Sequence, residues 1–383
     1  MKKVIVIPDS FKGTMSSREV CSIMAGVIRR YHPAAGIHSV PVADGGEGSV
    51  DSFLAAAGGE KITIPAKGPR MEDMPGFYGI IGGGKTAVIE MAACAGLPLA
   101  GERPRPDLAT TYGAGLLIAD AAKRGCGKII VGLGGSATND FGAGAAAACG
   151  IRFFDSAGKP FVPVGGTLSR IARIDASGLL PEVKRAEIVT MCDIDNPLYG
   201  KTGAAYVFAP QKGADEAMVE MLDGQLRRAA ETVAREMGVD VSALPGAGAA
   251  GGMGGGMAAF FGSPLKMGIE VVLDTVNFDV LVKDADLVFT GEGRLDTQSL
   301  RGKVVVGVAR RAKRQGVPVV AIAGVTGDGI EGVYGEGVSA VFVTNRAARP
   351  FSELPAHCAN DLALTMDNLM RFMALFRAGE LPA

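Results

Sequence analysis

Histidine is scarce in this chain: only His32, His38 and His357 occur among its 383 residues, and none stands in a glycine-rich loop. A Ser-His-Asp hydrolase and a histidine zinc site are therefore disfavoured. An excess of charge of one sign is also missing. Lys and Arg number 39 against 40 Asp and Glu, so the formal charge of -1 gives no electrostatic reason to expect nucleic acid or an anionic membrane as partner. The partner expected is small. Cys21, Cys94, Cys126, Cys149, Cys192 and Cys358 are scattered with no pair at metal-ligand or redox-motif spacing, and they read as buried free thiols.

Long apolar runs suited to a membrane are lacking too. The stretch that opens the chain stops at Pro8 and Asp9, too short for the core of a signal peptide, so a cytoplasmic location is expected. The uncharged run Val241 to Leu265 is long enough to span a bilayer, yet it holds eight glycines and two prolines with few large aliphatic residues. It reads as a loop or a buried glycine-rich segment.

Glycine, by contrast, is abundant. Its 56 residues are roughly twice the usual share, while a hydrophobic fraction of 48% is that of a packed globule. The excess must therefore sit in particular loops, and the length suits two domains.

The apolar run Val4 to Ile7 predicts a strand, and the capping box of Ser16 and Glu19 opens a helix that continues to about Tyr31. Ile37 to Val42 is a second strand. Gly48 to Ala57 is a second helix, stopped by Gly58 and Gly59. The chain thus begins β-α-β-α, which implies parallel strands with right-handed crossovers. Leu287 to Phe289, Val304 to Arg314, Val317 to Ala323 and Ala340 to Val343 read as strand, helix, strand and strand.

The middle has a different rhythm and predicts a mixed sheet. Gly76 to Ala92 alternates as a hairpin, Thr111 to Arg124 is a helix, Lys128 to Val131 a strand, and Asp215 to Met237 a long amphipathic helix. The fold class expected is α/β.

Two glycine motifs imitate familiar nucleotide sites. Gly79 to Thr86 matches the P-loop pattern, but the alternating Thr86-Ala-Val-Ile-Glu-Met that follows is a strand, so Gly82 to Gly84 forms a hairpin turn. Gly132-Leu-Gly134-Gly-Ser-Ala137 fits a relaxed dinucleotide fingerprint with Asp155 beyond it, which keeps an NAD-dependent dehydrogenase of a small hydroxy acid as an alternative. A non-catalytic small-anion-binding protein is a second alternative. The reading preferred for Gly132 to Asp140 is a phosphate cradle at the start of an alanine-rich helix; a tight turn with Asn139 or Asp140 as N-cap stands beside it.

Asp9-Ser10-Phe-Lys12-Gly13 and Asp44-Gly-Gly-Glu47-Gly48 follow the first two strands and are expected at one rim. Ligands bind at the carboxyl ends of parallel strands. Thr290-Gly-Glu292-Gly-Arg294-Leu-Asp296 reads as a third rim loop. Asp193 and Asp195 offer carboxylates suited to Mg2+. Gln211 and Lys212 offer an amide and a cation. The basic cluster Arg310, Arg311, Lys313 and Arg314, late in a helix, is expected on the surface.

Together these stretches resemble the glycerate kinase family of the bacterial type (class I). The likeness rests on Asp9 to Gly13, Ala43 to Gly48, Val88-Ile-Glu-Met-Ala92, Gly132 to Asp140, Asp193 with Asn196-Pro-Leu198, Pro210 to Ala214, Gly248 to Gly252 and Thr290 to Asp296, and it spans nearly the whole chain. The resemblance implies a kinase that uses ATP and Mg2+ to phosphorylate D-glycerate to 2-phosphoglycerate. It also implies a flavodoxin-like domain, 1–62 with 278–383, into which a mixed α/β domain, 63–277, is inserted.

Under that resemblance Gly134, Gly135, Ser136, Ala137, Thr138 and Asn139 bind ATP, and Asp193 holds Mg2+. Asp44, with Asp9 next, is the base; Lys12 is a catalytic cation; Ser10, Glu47, Gln211, Lys212, Glu292, Arg294 and Asp296 surround the substrate. No nucleic-acid or membrane partner is expected, and a homodimer is left open. Two residues depart from the family pattern. Phe141 replaces a usual glycine and is expected to narrow the cradle, while Leu117 replaces a frequent glutamate in mid-helix and concerns packing.

Overall fold

The computed structural model describes residues 1–42 and 45–377, with the side chains of 376 and 377 outside the description. The chain divides into two compact units, one of Met1–Ala43 with Ile269–Ala383, the other of Asp44–Gly268. The divisions fall earlier than 62 and 277 because helix Ser49–Ala57 packs on strands Asp73–Ile81 and Thr86–Glu90 of the second unit, while Ile269 packs on Gly307 of the first.

In the first unit five strands form a parallel sheet in the order Val338–Val343, Val319–Thr326, Leu287–Leu295, Lys3–Pro8, Gly36–Ser39. Numbered within the unit this is 2-1-3-4-5, the flavodoxin-like order, and the topological switch point lies between Lys3–Pro8 and Leu287–Leu295. Helix Ser17–Tyr31 opens with the expected Ser16/Glu19 capping box and packs beside Leu354–Arg377 over a core that includes Val4, Val6, Leu287, Phe289 and Ile322.

Two local expectations change here. Thr290 to Leu295 is not a loop but a continuation of its strand, with Glu292 opposite Ala323 and Arg294 opposite Val325. Gly291 and Gly324 make this pairing possible: a Cβ on either would stand within 2.5 Å of a neighbouring carbonyl. The basic cluster is not wholly on the surface either. Arg311 is buried, and its guanidinium meets Glu270, Asp274 and Asp279 on the two short helices packed across its own.

The second unit holds a six-stranded mixed sheet in the order Leu265–Lys266, Glu187–Met191, Lys128–Gly132, Thr86–Glu90, Asp73–Ile81, Glu60–Lys67. The first four strands run parallel, Asp73–Ile81 runs antiparallel to them, and Glu60–Lys67 pairs antiparallel with Asp73–Ile81. A three-stranded antiparallel sheet, Pro160–Phe161, Arg152–Phe154 and Arg173–Asp175, stands apart from it. Gly82, Gly83 and Gly84 turn the hairpin with positive φ, as alternation on both sides predicted. Helix Glu216–Met237 starts at Asp215, whose side chain accepts from the Met218 amide, and stops at left-handed Gly238.

The glycine-rich run is buried and mostly helical. It forms Ala249–Phe261, broken by positive φ at Ala250, Gly251 and Gly252. Five cysteines are buried and none of the six is disulfide-bonded. Among the described residues no helix is long and apolar enough to cross a membrane.

Candidate active site

The carboxyl ends of three adjacent parallel strands of the second unit deliver the residues that can carry chemistry there. Glu90 and Met191 both stand in register with Gly132, so Glu90, the Gly132 to Asn139 loop and Asp193 leave the sheet side by side. The loop is pinned rather than open. Gly134 donates its amide to the Gly45 carbonyl at 3.0 Å, Ala137 donates to Ala95 at 2.8 Å, and Lys212 Nζ donates to Ser136 Oγ at 2.7 Å and to the Thr138 carbonyl at 2.8 Å. Gly213, at φ +88°, closes the short turn that aims Lys212 inward.

Lys212 is buried, and among the described residues no carboxylate lies within salt-bridge distance of it. Burial therefore lowers its pKa to about 7, with the more distant Asp140 opposing that shift. Asn139 is also wholly buried, and both ends of its carboxamide lack a hydrogen-bond partner. A cation and an amide left so short of partners suit an anionic, hydrogen-bonding ligand.

Asp140 secures the base of the loop. Its carboxylate accepts from the Thr111 amide at 2.7 Å, the Thr111 hydroxyl at 2.9 Å, and the amides of Gly142 at 3.1 Å and Gly144 at 3.2 Å. These bonds correct the expected helix-terminal cradle. The alanine-rich helix is only Ala143–Ala148, and Asp140 already occupies its N-terminal amides. The N-cap is Gly142 rather than Asn139 or Asp140, with Asp140 accepting amides from two residues before that cap, and the buried cation beside the loop is Lys212.

Phe141 does not narrow the loop. Its φ of +59° explains why glycine suits the position, and its ring turns into the core, edge-on to Phe260 at 5.6 Å. Leu117 is buried in mid-helix, as a packing residue should be.

In the first unit the switch point brings Asp9 beside Glu292. The Asp9 amide donates to the Gly291 carbonyl at 2.7 Å, and Gly293 lies against the backbone of Phe11 and Lys12. Glu292 is 7% exposed, hydrogen-bonded by the Ser299 hydroxyl, and its Oε1 has no partner. Burial first, then the nearby Asp9 charge, raises its pKa to about 7 against the pull of Ser299 and Lys303. Arg294 is exposed and pairs with Asp296 at 3.2 Å.

The glycerate kinase family model matches residues 4–374. The chain belongs to the glycerate kinase family. It is 46% identical over 343 residues to a glycerate kinase of Halalkalibacterium halodurans, covering 89% of this chain and 90% of that one. It is equally 46% identical over 341 residues to the glycerate 2-kinase of Escherichia coli K12, covering 89% and 90%. A crystal structure of a candidate glycerate kinase 2 from Salmonella typhimurium LT2 superposes with a TM-score of 0.87 at 39% identity, covering 98% of this chain and 99% of that one.

This kinase therefore needs a nucleotide phosphate donor, and the dehydrogenase alternative falls away. Asp155 closes a turn instead of facing a ribose, accepting from the Ala157 and Lys159 amides.

The predicted residues sort by unit. Ser136, Thr138, Asn139 and Lys212 come together in the second, with Gly134, Gly135 and Ala137 in the same loop, while Gln211 is exposed beside Lys212 and Glu47 is exposed in the Gly45 to Gly48 loop. That loop, expected at the rim with Asp9, packs on the Gly132 loop of its own unit: a Cβ on Gly134 would stand 2.4 Å from Gly46 Cα. Asp9, Ser10, Lys12, Glu292, Arg294 and Asp296 belong to the first unit. Asp44 lies outside the described residues.

Glu90 was missed. It is buried, accepts the Ser49 amide at 3.1 Å, and is raised to about 7 by burial. A glutamate ending an apolar strand was the signal available.

The residues present fit a magnesium nucleotide. Asp193 is half-buried and accepts the Gly268 amide at 2.6 Å; among the described residues no group of three or more His, Cys, Asp or Glu gathers as a metal cluster. Mg2+ held by one carboxylate, with phosphates and water completing its shell, asks for no more.

Proposed function

We propose that the kinase transfers the γ-phosphoryl group of magnesium ATP to D-glycerate, giving 2-phosphoglycerate. The observation that carries this reading is Lys212, a buried cation held on the Ser136 to Asn139 loop with no carboxylate in ion-pair reach among the described residues. A phosphate supplies the charge that this lysine lacks. Phosphoryl transfer asks a protein for positioning and charge stabilisation more than for covalent chemistry, which suits a site of glycines, carboxylates and cations without histidine.

In this reading Gly134 to Asn139 hold the nucleotide phosphates together with Lys212, and Asp193 holds Mg2+, whose role is to neutralise charge that develops on the phosphoryl oxygens. Lys12 and Arg294 meet the glycerate carboxylate, with Ser10 and Asp296 beside them. The test is ADP formation by the purified enzyme. It should require both glycerate and Mg2+, and ADP formed at the same rate without glycerate would refute the assignment.

A further inference from the structure

We propose that Glu292 is the general base of this kinase, the group that accepts the proton of the glycerate hydroxyl as its oxygen attacks phosphorus. This rests on the glycerate kinase reading above and gives the proton a destination in the first unit. It takes the role from Asp44 and Asp9.

Three features of the fold support Glu292. It stands at the carboxyl end of Leu287–Leu295, beside Lys3–Pro8, at the topological switch point where parallel sheets bind ligands. Its Oε1 is buried with no hydrogen-bond partner, so a donor arriving there makes a bond that the protein itself leaves unmade. It shares a strand face with Arg294, two residues on and about 7 Å away along the strand. A three-carbon acid with its carboxylate toward Arg294 can thus present a hydroxyl to Glu292.

The competing carboxylates are placed otherwise. Asp9 accepts the Ser10 amide at 2.6 Å through Oδ1, and Glu90 accepts the Ser49 amide at 3.1 Å and secures the start of a helix. The ionisable groups that act on Glu292 are Asp9 from the first strand, Asp296 from its own strand end and Lys303 at the start of Val304–Arg314. Their sum with burial sets Glu292 to about 7, where a base is both deprotonated and basic enough at neutral pH.

The step balances simply. The substrate hydroxyl oxygen forms a bond to the γ-phosphorus, the bond from that phosphorus to the bridging oxygen breaks, and ADP leaves with the electron pair. The hydroxyl proton passes to the Glu292 carboxylate.

The experiment is the pH dependence of steady-state kinetics for the wild type, Glu292→Gln and Asp9→Asn. Wild-type ADP formation with glycerate is measured first; its failure would remove the kinase reading itself, before any variant is compared. In Glu292→Gln, kcat should fall on the order of a hundredfold or more, as for loss of a general base, with KM for glycerate changed by less than about threefold. The acid limb near pH 7 should vanish from its profile.

In Asp9→Asn that limb should survive and move to lower pH, because the charge that raises Glu292 is gone. Glu292→Asp, which keeps the carboxyl, should retain the limb at reduced kcat and serves if the Gln variant does not fold. A folded Glu292→Gln enzyme with kcat within fivefold of wild type overturns the proposal. So does an acid limb lost in Asp9→Asn and kept in Glu292→Gln.

Discussion

Lys212 Nζ lies 2.7 Å from Ser136 Oγ and 2.8 Å from the Thr138 carbonyl, and these hydrogen bonds tie a turn near residue 212 to the glycine loop that follows strand Lys128–Gly132. Both join a buried cation to a neutral acceptor. A charge kept dry with so little compensation is destabilising by itself and becomes favourable when an anion arrives.

The first prediction concerns that proton. Burial lowers the Lys212 pKa from the ordinary 10.5 of a lysine to about 7, so at pH 8 most of the free enzyme carries it neutral. A nucleotide phosphate beside Nζ favours the charged form, and binding should take up a proton. Calorimetry of ATP binding at pH 8 in buffers of different ionisation enthalpy should show uptake in the wild type and none through this site in Lys212→Met. The sign for stability also follows. Between about pH 7 and 10.5 the unfolded lysine binds more protons than the folded one, so this group makes stability rise with pH across that window. The Lys212→Met protein should lose that part of the slope and be no less stable than wild type at pH 7.

Much of the fold was legible in the sequence. The Ser16/Glu19 capping box, the Gly82 to Gly84 turn and the long helix capped by Asp215 and Gly238 are local signals, and each is where the pattern put it. Burial of charge was not legible, because it depends on partners far along the chain. Arg311 reads as a solvated helix end until Glu270, Asp274 and Asp279 pack over it. Likewise, the Gly132 loop reads as an open cradle, but Asp140 accepts the Gly142 and Gly144 amides there, and the cation against the loop is Lys212, more than 70 residues away. The glycines that mark close approach are visible; what approaches them is not.

Asp193→Asn and Ser136→Ala should separate by kinetic signature. Loss of a carboxylate that positions Mg2+ for charge developing in the transition state should lower kcat on the order of a hundredfold or more. Ser136→Ala removes one acceptor from Lys212 but leaves the Thr138 carbonyl and the loop backbone, so its effect should fall mainly on KM for ATP. Steady-state kinetics with folding checked by circular dichroism decides both. A folded Asp193→Asn enzyme with near-normal kcat would remove Asp193 from the metal site.

Arg311→Ala should destabilise the first unit by roughly 2–3 kcal/mol, less than the loss expected when a fully buried charge is stranded. Arg311 is buried, but the carboxylates it leaves, Glu270, Asp274 and Asp279, are 41%, 44% and 52% exposed and can be solvated. Urea unfolding of wild type and variant measures the difference.

The central claim is that this protein phosphorylates glycerate at its 2-hydroxyl. Proton-coupled phosphorus NMR of the product made from D-glycerate, ATP and Mg2+ tests it most directly. A phosphate on C2 is coupled to one proton and gives a doublet, which is the result predicted. A triplet, from phosphate on the CH2 of C3, would contradict the product, and no glycerate phosphomonoester at all would contradict the account.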